Sequence, residues 1–229
     1  MDRYSEITKK NKREIVLLKS FPCVWGKCSF CDYILDNSNS EDEINKLNFG
    51  VLENITGKYG VLEVINSGSC FELPKDTLFK IKEIIKEKNI KRLFLESHWS
   101  YKNRIQEMRD FFEIPITFKI GVESFDYDFR NDFLNKNAKF KTVEELKEYF
   151  DSPCMLVGIK GQTKEMIDND MKIVLEKFDH ATINVYVNNT SSIKRDDDLI
   201  NWFCEKYKFL DENPNIEILY NNTDFGVGD

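Results

Sequence analysis

The sequence contains no long hydrophobic run, and this absence sets the first limits on the class of protein. No uninterrupted apolar segment approaches the roughly 20 residues that a membrane-spanning helix needs. Residues 1–5, Met-Asp-Arg-Tyr-Ser, lack the apolar stretch of a signal peptide. We therefore expect a protein of the reducing cytoplasm that has no membrane partner.

Positive charge is also scarce relative to negative charge. The chain has 33 Lys and Arg against 40 Asp and Glu, a formal net charge of −7 at pH 7. An acidic balance argues against general binding to a phosphate backbone, which needs a basic field. A small molecule, and not a nucleic acid, is therefore the expected partner. The basic group Lys9, Lys10, Lys12 and Arg13 is expected to lie in a solvated N-terminal arm, residues 1–13.

The chain also lacks repeats, low-complexity tracts and linkers, so its 229 residues predict a single domain, 1–229. Short apolar runs alternate with segments of helical spacing, a pattern typical of β/α units and a mostly parallel sheet. The predicted strands are 14–21, 61–67, 92–96, 116–124, 154–160, 181–187 and 216–220. The predicted helices are 41–55, 75–88, 102–112, 126–134 with 143–150, 164–178 and 196–210. Such an array gives an open doubly wound sheet or a full or partial barrel.

Cysteine is concentrated at one place in the chain. Three of the six cysteines, Cys23, Cys28 and Cys31, lie within nine residues, directly after the strand-like run 15–18. Thiolates at this density, in a reducing compartment, predict a soft metal centre and not disulfides. Three thiolates leave one coordination position open, as an iron-sulfur cluster needs if it is to touch a substrate or cosubstrate.

A structural zinc site is the alternative interpretation of the same loop. It would need a fourth ligand from Cys70, His98 or another distant residue. The spacing of four and then two residues between the cysteines differs from the paired two-residue knuckles of zinc modules. The remaining cysteines, Cys70, Cys154 and Cys204, are expected to be reduced and buried.

Polar and glycine residues concentrate where the predicted strands end. Ligands of parallel β/α folds gather at the carboxyl ends of strands, so these positions are candidate binding residues. They lie in the segments 66–72, 96–99, 120–124, 157–163 and 221–226. Each also has a structural interpretation when taken alone: Gly158 can shape a turn, and Glu96 and Glu123 can be exposed strand-end carboxylates.

The three-cysteine loop after the first strand resembles the radical S-adenosylmethionine (SAM) superfamily, whose members hold a four-iron cluster in such a loop. The family's usual spacing is three and then two residues, whereas this chain has four and then two. Residues 120–124, Ile-Gly-Val-Glu-Ser, resemble the strand-four motif Ile-Gly-Leu-Glu-Ser. Residues 158–163 resemble the strand-five motif Gly-Leu-Pro-Gly-Gln-Thr of the Elongator branch, with Lys in place of Pro. The resemblance implies an α/β fold, a partial (β/α)6-type TIM barrel with mostly parallel strands.

The resemblance also implies cofactors and their ligands. Cys23, Cys28 and Cys31 would hold a [4Fe-4S] cluster, and SAM would bind to its open iron. The residues expected to bind SAM are Ser67, Gly68, Ser69, Glu96, Glu123, Ser124, Gly158 and Lys160. Reduction of the cluster implies a one-electron donor such as flavodoxin or ferredoxin.

A narrower resemblance is to the small queuine lyases. It rests on the loop 23–33, Cys-Val-Trp-Gly-Lys-Cys-Ser-Phe-Cys-Asp-Tyr, and on the terminal segment 221–228, Asn-Asn-Thr-Asp-Phe-Gly-Val-Gly. It implies cleavage of a C–N bond in the 7-deazapurine base queuine, which releases 7-aminomethyl-7-deazaguanine for queuosine salvage. The residues expected to bind this substrate are Asp32, Tyr33, Glu72, Asn221, Asn222 and Asp224. Asp224 has an alternative role as a turn residue before Gly226.

A tRNA-modifying radical SAM enzyme is the second interpretation within the same class. It shares the order of motifs along the chain. Such enzymes usually carry an added RNA-binding or second-cluster domain. In this acidic chain, one β/α domain is expected to account for all 229 residues. We therefore expect a free base as the substrate, and no nucleic-acid partner.

Overall fold

The computed structural model describes residues 1–228, which divide into two compact units. The first unit comprises residues 1–26, 33–118 and 225–228, and the second comprises residues 27–32 and 119–224. The single domain expected over 1–229 stays a prediction.

The first unit is built on four strands and three α-helices. Its strands are β1 (Tyr4–Ile7), β2 (Arg13–Leu18), β3 (Val61–Asn66) and β4 (Arg92–Glu96). Its helices are α1 (Glu41–Leu52), α2 (Lys75–Glu87) and α3 (Ile105–Phe112), with 3-10 turns at Tyr33–Asp36, Cys70–Glu72 and Trp99–Arg104. β1 pairs antiparallel with β2, whereas β2, β3 and β4 are parallel.

The strand β5 (Ile116–Glu123) begins in the first unit and ends in the second. The second unit continues with β6 (Ser152–Val157), β7 (Ala181–Val185) and β8 (Ile216–Leu219), all parallel. Its α-helices are α4 (Val143–Lys147), α5 (Lys164–Lys177) and α6 (Asp197–Lys206). A π-helix at Phe129–Phe133 and a 3-10 turn at Lys208–Glu212 complete it.

Neighbouring strands follow the order of the chain. The order is β1-β2-β3-β4 in the first unit and β5-β6-β7-β8 in the second. A doubly wound sheet would show a reversal of strand order at a switch point, whereas sequential order is the topology of a (β/α) barrel. The predicted α/β fold, a partial (β/α)6-type TIM barrel with mostly parallel strands, is therefore confirmed.

The N-terminal segment differs from the solvated arm expected for residues 1–13. Residues 4–7 form β1, and only Ile7 of this strand is buried. An edge strand that buries one of its four side chains lacks the alternating pattern by which strands are predicted. Arg13 is fully buried, so the expectation of a solvated side chain was wrong there. Lys9 and Lys12 are exposed, as expected.

Helix starts follow local side-chain chemistry. The hydroxyl of Ser40 accepts a hydrogen bond from the backbone N–H of Glu43, and α1 begins at the next residue, Glu41. Thr163 caps α5 in the same way through the N–H of Met166. Each cap satisfies a backbone donor that the first helical turn leaves unpaired. Within residues 1–228, no helix combines the length and the apolar character that crossing a bilayer requires.

Candidate functional site

The carboxylate of Glu72 joins two loops of the first unit. Its Oε1 accepts hydrogen bonds from the backbone N–H of Val24 at 2.6 Å and from the hydroxyl of Tyr101 at 3.3 Å. Its Oε2 accepts one from the backbone N–H of Ser69. Glu72 is 6% exposed, and this burial raises the pKa of its carboxyl. The carboxylate thus links the cysteine loop, at the residue after Cys23, to the turn that follows β3.

The turn after β3 contains the predicted SAM-binding residues Ser67, Gly68 and Ser69. A Cβ at Gly68 would overlap the carboxylate of Glu72, so a side chain there would displace this carboxylate from its hydrogen bonds. The hydroxyl of Ser69 accepts a hydrogen bond from the N–H of His98, after β4, at 2.8 Å. The structure therefore brings the ends of β3 and β4 together at this turn.

Asn66, the last residue of β3, carries an acceptor that no group within residues 1–228 uses. Its amide nitrogen donates to the carbonyl of Ser69 at 3.0 Å, and the side chain is 8% exposed. Its Oδ1 has no hydrogen-bond partner among the residues that the structure describes. A buried acceptor without a donor is costly unless a ligand satisfies it. This position therefore fits a ligand that carries an N–H group, such as an amino acid amine.

A second charged group, at the end of the 3-10 turn Tyr33–Asp36, was missed from the sequence. The carboxylate of Asp36 accepts hydrogen bonds from the guanidinium of Arg3 and, at 2.9 Å, from the hydroxyl of Ser67. The ammonium of Lys19 lies 3.9 Å from the same carboxylate and 3.2 Å from Glu43. The hydroxyl of Ser67 is thus already engaged by Asp36. Its predicted contact with SAM stays a prediction.

An apolar face of the first unit was also missed from the sequence. Leu17 and Ile65 are paired across β2 and β3, and with Phe225 they pack against a small buried core while remaining partly exposed. The guanidinium of the buried Arg13 lies 5.2 Å from the centre of the Phe225 ring. Glu96, at the end of β4, is also partly exposed, and Tyr33 is 61% exposed.

The second half of the cysteine loop belongs to the second unit. The backbone N–H of Ser29 donates to the carbonyl of Leu134 at 3.0 Å, and the amide of Asn189 donates to the carbonyl of Phe30 at 2.8 Å. The carboxylate of Asp32 accepts from the N–H and the hydroxyl of Thr190, both at 3.0 Å. These bonds hold the segment that carries Cys28 and Cys31. They also occupy one oxygen of Asp32, whose substrate contact stays a prediction.

Glu123, at the end of β5, has an unusual backbone. Its φ of 65° lies in the left-handed region, and the pairing with β6 shifts register between Gly121 and Glu123. The carboxylate pairs with the ammonium of Lys136 at 2.6 Å, and Lys136 also lies over the ring of Phe30. A side chain at Gly121 would overlap this ion pair. A strained residue that is buried and held by an ion pair is typical of a functional site.

Ser124 follows directly and is fully buried. Its hydroxyl accepts a hydrogen bond from the N–H of Asp126 at 3.1 Å, and its carbonyl accepts one from Arg130 at 2.8 Å. Asp170 accepts a hydrogen bond from the N–H of Phe125 at 2.7 Å. Burial raises the pKa of Asp170 to about 7, and hydrogen bonds from the N–H of Phe125 and the hydroxyl of Ser124 oppose the increase. In this network Ser124 shapes the turn, and its contact with SAM stays a prediction.

The raised pKa of Asp170 implies a pH-dependent stability. The folded chain binds more protons than the unfolded chain between pH 3.8 and about 7. The free energy of unfolding therefore falls as the pH rises through this window. In Asp170→Asn, which keeps the acceptor for Phe125, we expect a smaller loss of stability between pH 5 and pH 8 than in the wild type. Urea unfolding at the two pH values measures it, and equal losses in both proteins would contradict this origin.

The strand-five motif forms a tight turn after β6. Gly158 has a φ of 90°, and its backbone N–H donates to the side chain of Gln162 at 2.9 Å. The other end of the Gln162 side chain donates to the carbonyl of Leu156 at 2.9 Å. Lys160 is exposed. The turn thus needs glycine at 158 and places Lys160 on the surface.

A methyl group at Gly158 is expected to destabilise the chain. It would overlap the side chain of Ile200, and the backbone conformation is one that alanine rarely adopts. We expect Gly158→Ala to lower the free energy of unfolding by about 1–3 kcal/mol. Gly50→Ala is the control, because its methyl group would meet open space in α1. This change should raise the free energy of unfolding by about 0.5–1 kcal/mol, since alanine favours a helix more than glycine does. Denaturant unfolding measures both, and an unchanged Gly158→Ala would contradict the overlap.

The predicted substrate residues near the C-terminus lie on an exposed turn. Asn221, Asn222 and Asp224 are all exposed. The carboxylate of Asp224 accepts hydrogen bonds from the backbone N–H groups of Tyr220 and Asn221, at 2.7 and 2.9 Å. This is the turn role that the sequence left open for Asp224. Contact of these three residues with a substrate stays a prediction.

None of the six cysteines, all within the described residues, forms a disulfide. Cys70 and Cys154 are buried as expected, and burial raises the pKa of Cys70. The expectation that Cys204 is buried was wrong. Cys204 is partly exposed, because the buried face of α6 is formed by Leu199, Ile200 and Phe203. Residues 1–228 contain no group of three or more His, Cys, Asp and Glu side chains already arranged around a metal position.

The donor chemistry of the cysteine loop nevertheless fits an iron-sulfur cluster. Cys23, Cys28 and Cys31 are all partly exposed, and thiolates are the ligands that such clusters use. The backbone on either side of them is fixed, through Val24 in the first unit and through Ser29 and Phe30 in the second.

Comparison with known proteins finds relatives among solved structures and curated proteins. A queuine lyase from Clostridium spiroforme, solved with SAM and queuine bound, is 57% identical, with 100% of both chains covered and a TM-score of 0.99. SuiB from Streptococcus suis is 16% identical over 90% of this chain and 48% of its own, with a TM-score of 0.58, and shows the fold alone. An uncharacterized protein of Methanocaldococcus jannaschii is 24% identical over 155 residues, 58% of this chain. This chain spans 42% of that relative. No protein-family model matches.

The sequential β/α topology and the three-cysteine loop after β2 define a radical SAM protein, which confirms the wider resemblance. The full-length identity of 57% then settles the narrower one. The chain belongs to the queuine lyase family.

Proposed function

We propose that this chain is a queuine lyase. It uses SAM and a [4Fe-4S] cluster to cleave the C–N bond of queuine and to release 7-aminomethyl-7-deazaguanine for queuosine salvage. The observation that carries this proposal is the 57% identity, over the full length of both chains, to a queuine lyase solved with SAM and queuine.

Cys23, Cys28 and Cys31 would hold the cluster. When bound, the cluster and SAM supply a deoxyadenosyl radical, which abstracts a hydrogen atom from the substrate. The protein has three tasks in this chemistry: to hold SAM and queuine in register, to exclude water, and to keep the cysteine loop in place. The hydrogen bonds at both ends of the loop support the third task.

Two groups of the SAM-binding residues proposed from the sequence have structural support, one at the end of β3 and one at the end of β5. At the end of β3, the unsatisfied oxygen of Asn66 supports binding of an amine near Ser67, Gly68 and Ser69. At the end of β5, the strained Glu123 is held by Lys136. Glu96, Ser124, Gly158 and Lys160 complete the proposed set.

The substrate base needs a surface on which a flat ring can lie. The partly exposed face of Leu17, Ile65 and Phe225 supplies apolar contact of this kind in the first unit. Stacking of a base on an aromatic side chain is worth about 1–3 kcal/mol. Asp32, Tyr33, Asn221, Asn222 and Asp224 are the polar residues proposed to contact the remainder of queuine. Flavodoxin or ferredoxin is the proposed electron donor, and the cytoplasm is the proposed compartment.

The proposal is tested with enzyme reconstituted without oxygen. The enzyme is incubated with reductant, SAM and queuine, and the products are identified by mass spectrometry. We expect deoxyadenosine together with 7-aminomethyl-7-deazaguanine, and neither when the reductant or SAM is left out. Activity on queuosine-containing tRNA but not on free queuine would favour the tRNA-modifying interpretation. Stoichiometric zinc without iron or sulfide would favour a structural zinc site.

A further inference from the structure

The cysteine loop at Cys23 and the turn after β3 must keep a fixed distance if one ligand is to contact both. Under the proposed function, Cys23 would help to hold the cluster, and the turn after β3 would help to bind SAM. A displacement of about 1 Å in such an arrangement can cost about a hundredfold in rate. The connection between the cysteine loop and this turn therefore bears on catalysis, although it lies outside the cluster ligands.

Glu72 makes this connection with one side chain. Its two oxygens face two different backbone donors, the N–H of Val24 and the N–H of Ser69. Tyr101 adds a third donor at 3.3 Å, and burial raises its pKa to about 12, so the phenol keeps its proton. A backbone hydrogen bond makes the same connection: the N–H of Phe21, two residues before Cys23, donates to the carbonyl of Glu72 at 3.0 Å. The absence of a side chain at Gly68 leaves room for the carboxylate.

We propose that Glu72 is a positioning residue that fixes the cysteine loop to the SAM-binding turn, and not a group that contacts queuine. This inference rests on the proposed function, and it replaces the substrate role expected for Glu72 from the sequence. A carboxylate is required because it offers an acceptor on each side. An amide of the same shape offers one acceptor and one donor, so it would place an N–H against the N–H of Val24 or of Ser69.

The test compares Glu72→Gln with the wild type and with Glu107→Gln, which alters an exposed carboxylate on α3. In the cluster-free chain, hydrogen exchange is expected to be faster in Glu72→Gln at the amide of Val24 or of Ser69, whichever faces the new N–H, and unchanged elsewhere. In the reconstituted protein, we expect iron content as in the wild type, but about tenfold weaker SAM binding. We also expect a smaller change of the reduced cluster's EPR spectrum on addition of SAM. Glu107→Gln should match the wild type throughout.

The proposal is overturned if Glu72→Gln keeps wild-type exchange at both amides, or if it binds SAM as tightly as the wild type. It is also overturned if SAM affinity is kept and only the KM for queuine rises, the result expected of a direct substrate contact. If Glu72→Gln does not fold, Tyr101→Phe decides, because it leaves the carboxylate in place and removes one donor. Weaker SAM binding in Tyr101→Phe supports the proposal, and unchanged binding refutes it. Hydrogen exchange, iron content, SAM binding and the EPR spectrum need no turnover of queuine, so these four measurements are independent of the lyase assay.

Discussion

Replacement of Cys31 by alanine is expected to remove the cluster and to reduce the formation of deoxyadenosine to background. A [4Fe-4S] cluster that keeps one iron open for a ligand depends on all three protein thiolates. Cys70 is a poor replacement for the lost ligand, because it is buried and burial raises the pKa of its thiol, which disfavours the thiolate. Iron and sulfide per chain, with the absorbance of the reconstituted protein, measure this effect directly.

Cys204→Ala is the matched control. Cys204 is also partly exposed and lies on α6, outside the cysteine loop. Its replacement should leave iron, sulfide and activity unchanged. If Cys31→Ala retained a full complement of iron and sulfide, the assignment of the loop as the ligand set would be wrong.

The second large effect is expected on stability, from the buried ion pair of Arg13 and Glu63. The guanidinium lies 2.5 Å from the carboxylate, and neither side chain is more than 1% exposed. Arg13 also donates to the carbonyl of Asn11 at 2.8 Å, and its guanidinium lies near the rings of Phe94 and Phe225. Replacement by methionine leaves the charge of Glu63 buried without its partner. We expect Arg13→Met to lower the free energy of unfolding by about 3–5 kcal/mol.

An exposed ion pair supplies the control for this prediction. Lys80 and Glu83 lie on the surface of α2, with side chains 35% and 68% exposed. Such pairs contribute at most about 1 kcal/mol, so Lys80→Met should change the stability little. Urea unfolding of both variants gives the comparison. If Arg13→Met were no more destabilising than Lys80→Met, the buried pair would not stabilise the first unit.

The order of elements was predictable because each element has its own periodicity. The helices α2 and α5 carry apolar residues at three- and four-residue spacing, and the runs of β2, β3 and β6 are buried along most of their length. β1 escaped detection because it is a short edge strand with mainly polar residues. The buried position of Arg13 escaped for a different reason: its partner Glu63 is 50 residues away, and no local pattern records such a pair.

The sequence proposed positions for the candidate site but not the contacts of its side chains. The cysteine loop, the turn after β3 and the end of β5 were proposed because ligands of parallel β/α folds gather at the carboxyl ends of strands. The sequence could not show where each carboxylate points. Glu72, Asp32 and Asp224 bind backbone N–H groups of the chain itself. Asp36 was missed because its partner Arg3 lay in the segment taken for a solvated arm.

The most direct test of the central claim, radical cleavage of queuine, follows the transferred hydrogen atom. Wild-type enzyme is supplied with reductant, SAM and queuine that carries deuterium on its carbon atoms. We expect 7-aminomethyl-7-deazaguanine to form and deuterium to appear in deoxyadenosine or in recovered SAM. Formation of the product with no deuterium in either nucleoside would contradict the claim.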